Sequence, residues 1–208
     1  MTSLVLKDLL NLQSYLKTII VFVVFYTVLS FTMTDVSLVA GMLIILFTMI
    51  PISSFSYDQQ AKWDVFSQTL PVTRKQIVQG KYIVALLFIV LGFVLSFVIT
   101  VIATVLKDET LDLMELLIGN GMIALTGLIL LAIMIPLIYK FGVEKSRMML
   151  MTIALVPTLG VMLLANLGFT IPSDFNWELV GYIVPAVAAI SFVLSFMISI
   201  RIYSAKDF

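Results

Sequence analysis

The chain has 208 residues, 62% of them hydrophobic and 12% charged. A soluble domain of this size carries about one quarter charged residues, so the composition excludes a soluble globular protein and indicates an integral membrane protein. Twelve Lys and Arg balance twelve Asp and Glu, and there is no Cys and no His. These absences exclude disulfides, thiolate chemistry, imidazole base catalysis and the usual zinc sites, and with them most membrane-enzyme functions.

The first element predicted is amphipathic. Val5, Leu9, Leu12 and Leu16 recur at helical spacing opposite Lys7, Asp8, Asn11 and Ser14, as expected of a helix lying in the inner interface and feeding the first span. No convincing small-x-small site follows, so the segment does not read as a cleaved signal peptide. Six apolar stretches then follow, 18–34, 36–56, 82–106, 116–139, 148–173 and 179–200, each near the roughly 20 residues a crossing needs. The fold class expected is all-α, a polytopic membrane protein of six transmembrane helices in a single domain, 1–208.

Spans two and three are separated by the one substantial polar island, 57–81. Asp58 and Lys62 stand four residues apart, acid first, the favourable order for a helix-surface pair. Trp63, Phe66 and Leu70 fall on one narrow helical stripe, Pro71 stops that helix, and Thr73 with Gln76 has the form of a capping box that starts the next. The pattern predicts a short amphipathic helix presented to a soluble partner, or an ordinary interfacial helix joining two spans.

Further along, 107–115 (KDETLDLME) reads as a solvated loop or short surface helix. Asn120 and Asn166 lie toward outer span ends, where a helix terminus or turn accounts for them. Pro136, Pro157, Gly160, Gly168, Pro172 and Pro185 cluster late in the chain and suggest a short or re-entrant piece between spans five and six. Phe175, Trp177 and Tyr182 would then form an outer aromatic belt.

Orientation follows from the basic residues. With both termini in the cytoplasm, Lys7, Lys17, Lys62, Arg74, Lys75, Lys81, Lys140, Lys145, Arg147, Arg201 and Lys206 lie inside, and Lys107 alone lies outside. That is the bias the positive-inside rule demands, in a cell membrane with N- and C-termini cytoplasmic. No charged residue occupies the middle of a span, and no inverted repeat is evident. Both absences argue against an ion-driven carrier. Gly80-Lys81 lacks the upstream glycine of a P-loop, so any ATPase is a separate chain.

The island also carries a resemblance. Tyr57-Asp58, Ala61-Lys62-Trp63-Asp64, the run from Leu70 through Val78, and Lys81-Tyr82 together resemble the permease subunits of ABC-2-type exporters, in particular the small six-span permeases of phenol-soluble modulin exporters. The resemblance implies a half-transporter with no covalent catalysis, no cofactor and no metal of its own, ATP and Mg being held by an ABC-type ATPase subunit. It implies a second permease copy or homologue, contact with membrane lipid, no nucleic-acid partner, and export of amphipathic or hydrophobic cargo such as peptides. By the same resemblance the stretch from Asp58 to Leu70 would be the coupling helix. Trp63, Phe66 and Leu70 would supply its apolar contact, Asp58, Lys62 and Asp64 its charged contacts, and Arg74 and Lys75 would sit at the following turn. A non-transporting immunity or sensor protein is the alternative from another class, and a secondary carrier a weaker one.

Overall fold

The computed structural model describes residues 2–33, 36–108, 112–166 and 177–206. Among these residues every regular element is helical: α1 (Thr2–Leu12), a 3-10 turn (Gln13–Tyr15), α2 (Leu16–Thr32), α3 (Val36–Gln60), α4 (Trp63–Ser67), α5 (Arg74–Leu106), α6 (Leu113–Phe141), α7 (Val143–Asn166) and α8 (Trp177–Ser204). Five stretches are long and apolar enough to cross a bilayer: Thr2–Thr32, Val36–Gln60, Arg74–Leu106, Leu113–Phe141 and Leu179–Ser204. The remaining expected span, 148–173, falls on α7 and on positions outside the described residues. The expected re-entrant piece at Pro172 and the belt residue Phe175 also lie outside them. Tyr182 does project from α8, 80% exposed.

The helices pack as α3 on α5 and α6 on α8, with α5 and α6 joining the two pairs. One core cluster runs through Ile44, Phe55, Val78, Tyr82, Leu131, Ile135, Tyr139 and Tyr203. A second joins Leu12, Leu43, Phe47, Val84 and Phe88. By contrast, α2 buries only Ser30, and its Ile20, Val21, Val24, Phe25 and Val28 are exposed, the apolar surface a lipid-facing helix requires. Among the described residues, buried side-chain polar groups are paired except the Tyr139 hydroxyl. Asn120 is not at a terminus as its neighbouring glycines suggested, but lies within α6. It is buried, accepts from Ser96 Oγ of α5 at 2.6 Å, and donates back to Leu116 O at 2.9 Å.

Close approach of α3 and α5 depends on Gly92, where an added Cβ would stand 2.6 Å from Phe47 Cβ. That neighbour is fixed to its backbone, so the helices themselves must move apart. Gly92→Ala is expected to cost roughly 1–3 kcal/mol of stability, read by thermal unfolding in nanodiscs. Gly119→Ala, with nothing within 4 Å, should leave the transition in place.

The base of the bundle is the end where α3 stops and α5 begins. Here α3 runs unbroken through Asp58 to Gln60. Lys62 then takes a left-handed conformation, φ 50°, and breaks the chain direction before α4. The single helix expected from Asp58 to Leu70 is therefore divided: Asp58 belongs to the last turn of a spanning helix, and the new helix holds five residues. The expected capping box is formed, with Thr73 Oγ1 accepting from Gln76 N–H at 3.3 Å and Gln76 Oε1 accepting from Thr73 N–H at 2.9 Å. With 33 residues, α5 is about 50 Å long at 1.5 Å per residue, so its first turns extend beyond a hydrocarbon core of about 30 Å.

Candidate functional site

Four charges meet at the base. Lys81 Nζ lies 2.9 Å from Asp8 Oδ1 and 2.5 Å from Asp58 Oδ2, and Lys7 Nζ lies 2.8 Å from Asp58 Oδ1 and 3.0 Å from Asp8 Oδ1. Ser54 Oγ donates to Asp8 Oδ1 at 2.9 Å and accepts from Lys81 Nζ at 2.7 Å. The quartet has no net charge and unites α1, α3 and α5. Lys81 is 4% exposed and Asp8 2%. Ions so removed from water persist only when each has an opposite charge and its remaining hydrogen-bonding capacity is satisfied.

This cluster alters the reading of α1. Asp8 was expected on the polar face, yet the buried face is Leu4, Asp8 and Leu12. The i, i+4, i+8 row includes the acid because Lys81 and Ser54 await it. Leu6 and Leu10 project away, 56% and 57% exposed. Asp58, four residues from Lys62, gives its carboxylate to Lys7 and Lys81 of other helices instead.

The remaining island residues divide into anchors and an exposed knob. Trp63 packs against the main core, meets the Phe66 ring at 5.6 Å, and lies under Lys7 Nζ, 3.9 Å from the ring centroid. Such a cation–π contact adds about 0.5–2 kcal/mol. Asp64 accepts from Tyr203 Oη at 3.3 Å and pairs with Lys206 at 3.7 Å. Arg74 Nη1 donates to three carbonyls at the end of α8, Ser204 O at 2.6 Å, Lys206 O at 3.0 Å and Tyr203 O at 3.4 Å. A cation there also suits the negative end of the helix dipole. Leu70 is half-buried, Lys62 and Lys75 are exposed, and Val65 and Phe66 are 56% and 54% exposed. The apolar stripe of Trp63, Phe66 and Leu70 is thus split, one ring inward and one outward.

The base is closed on its far side by Gly142, which ends α6 at φ 85°. That conformation favours glycine, and Gln59 Oε1 accepts from Val143 N–H beside it at 3.4 Å. Sequence reasoning placed Lys7 and Asp8 on a polar face and Lys81 in the family motif, but assigned none of them, nor Ser54 or Tyr203, to the site. One signal for them existed, an acid at the centre of the Leu4–Leu12 row.

The model of a family described as ABC-2 family transporter protein matches residues 3–204. The chain belongs to the ABC-2 transporter family. It is a multi-pass membrane permease of an ABC transporter, and permeases of this family work with an ABC ATPase. A comparison with curated proteins finds no match. Membership sets aside the secondary carrier. Within the ABC-2 permease, the base gathers the polar island, the N-terminal helix and the end of α8 into one hydrogen-bonded unit.

Proposed function

We propose that this ABC-2 permease is the membrane half of an exporter for amphipathic or hydrophobic cargo, with peptides the first candidate. In this reading two permease copies or homologues pair, and each receives the motion of an ATPase through the base. The observation that carries the coupling role is α4: a five-residue helix that exposes Val65 and Phe66 between exposed Lys62 and Lys75. Exposed aromatic and aliphatic side chains flanked by cations suit an apolar groove with an acidic rim. Asp58, Trp63, Asp64 and Arg74 make their contacts within the permease and would hold the knob in position. Leu70 would complete its base.

The quartet and Trp63 connect that knob to α1, α3 and α5, so ATP-driven movement of the partner would tilt the helices as packed bodies and shift the population of open and closed paths. The export direction and the peptide cargo rest on the likeness to phenol-soluble modulin permeases. Purification from the native host, followed by identification of the associated ATPase and any bound peptide, tests both. A preparation carrying no ATPase would sink the coupling role.

The same reading places the base in the cytoplasm, supported by the eleven basic residues assigned to that side. Single cysteines are interpretable because the chain has none. A cysteine at exposed Gln68 or Lys145 is expected to resist an impermeant label applied to intact cells, and one at exposed Glu115 to react. Labelling at Gln68 would reverse the orientation.

A further inference from the structure

Next to the charge quartet lies a small chamber between α3, α4, α5, α6 and the chain after α8. It gives the centre of a water molecule about 20 Å³ in which to move, and about 10–15 Å³ is enough to hold one. Tyr139 of α6 contributes to the wall together with Asp58, Gln59, Asp64 and Lys81. The Tyr139 hydroxyl is the one buried side-chain polar atom among the described residues that has no hydrogen-bond partner. Its ring is fixed edge-on by Phe55 at 5.4 Å and Tyr203 at 5.2 Å, so it cannot swing out to find one. An unpaired buried hydroxyl is costly, and native interiors almost always satisfy such groups with protein or water.

We propose that this chamber is a binding site for one ordered water, which accepts from the Tyr139 hydroxyl and donates to a carboxylate of the chamber wall. The wall chemistry selects a neutral guest. Each carboxylate already has its cation, Asp58 with Lys7 and Lys81, and Asp64 with Lys206, so a metal cation would meet the Lys81 ammonium with no uncompensated charge to bind. An anion would meet both acids. A water both donates and accepts, and it fits the volume. Bound there to Asp58, it extends the quartet of α1, α3 and α5 to α6, a helix of the chamber wall that the ion pairs do not reach. Asp64 and Lys206, with side chains 37% and 42% exposed, form the solvent-facing rim through which the site fills.

The test turns on the sign of one conservative substitution. Tyr139→Phe keeps the ring and removes the hydroxyl. If the hydroxyl is bare, its loss relieves a desolvation penalty and the thermal midpoint stays level or rises. If it binds the water, the substitution leaves that water short of a partner, and the midpoint of the purified permease in nanodiscs is expected to fall by about 2–4 °C. A structure resolving ordered solvent should show a peak within hydrogen-bond distance of Tyr139 Oη and of a wall carboxylate, displaced or lost in Y139F. An unchanged or higher midpoint, or a chamber without that peak in the unsubstituted protein, overturns the proposal.

Discussion

Replacing Lys81 with methionine is expected to destabilise the permease by about 3–5 kcal/mol, the range for breaking a buried ion pair from one side. Methionine preserves most of the volume, so lost packing accounts for little of this. The loss comes from Asp8 and Asp58, which keep only Lys7 between them. Asp8 at 2% exposure cannot recover its hydration. Restoring neutrality should restore stability. In the double variant Asp8→Asn, Lys81→Met, Lys7 and Asp58 remain as a single pair at 2.8 Å, and asparagine can still accept from Ser54. The double variant is therefore expected to unfold at higher denaturant than Lys81→Met alone, with a coupling energy of about 1–3 kcal/mol in the cycle. Denaturation of the four proteins in nanodiscs measures it. Additive losses would mean that Lys81 acts by packing and that the quartet is not an electrostatic unit.

Why this cluster escaped a reading of the sequence is a physical matter. Apolar runs between charges place the spans, the capping-box motif places the Thr73 cap, and periodicity reports which side chains share a face of one helix. In α1 it assigns Lys7 and Asp8 to the solvent face by default, because burial of a charge without a partner is costly. Asp8 and Lys81 are 73 residues apart, and Lys7 and Asp58 are 51 apart, so no local pattern can announce that each is the other's partner. The division of the island had a similar cause. Asp58, Lys62 and the stripe to Leu70 fit one helix by spacing, and only the left-handed turn at Lys62 separates the spanning helix from the knob. Asn120 repeats the lesson at smaller scale, since its neighbours are glycines in sequence while its partner, Ser96, lies on another helix. Spans and caps are local properties. The site at the base is a property of which helices come together.

That distinction yields the second large effect. Phe66 and Trp63 lie three residues apart and would be equivalent on a simple amphipathic stripe, but Phe66 is exposed while Trp63 packs on the main core. Phe66→Ala removes an exposed ring, so the thermal midpoint is expected to hold while association with the ATPase weakens. A central aromatic contact often contributes about 2 kcal/mol or more, and each 1.4 kcal/mol is tenfold in affinity, so a loss of at least tenfold is expected. Trp63→Ala removes the ring beneath Lys7 that packs on the main core, so it should lower stability as well as association. Large-to-small aromatic changes at buried sites cost about 3–5 kcal/mol, and half-buried Trp63 should fall below that range. Lys62→Glu tests the flanking charge without touching either ring, and against an acidic-rimmed groove it should slow association in a salt-dependent way. The measurements are ATPase co-purification, binding kinetics at two ionic strengths, and thermal midpoints at matched permease levels. If Phe66→Ala leaves ATPase association at the wild-type level, α4 is a connector lying in the interface. The quartet would then be holding an anchor for α1 and not a lever for the ATPase.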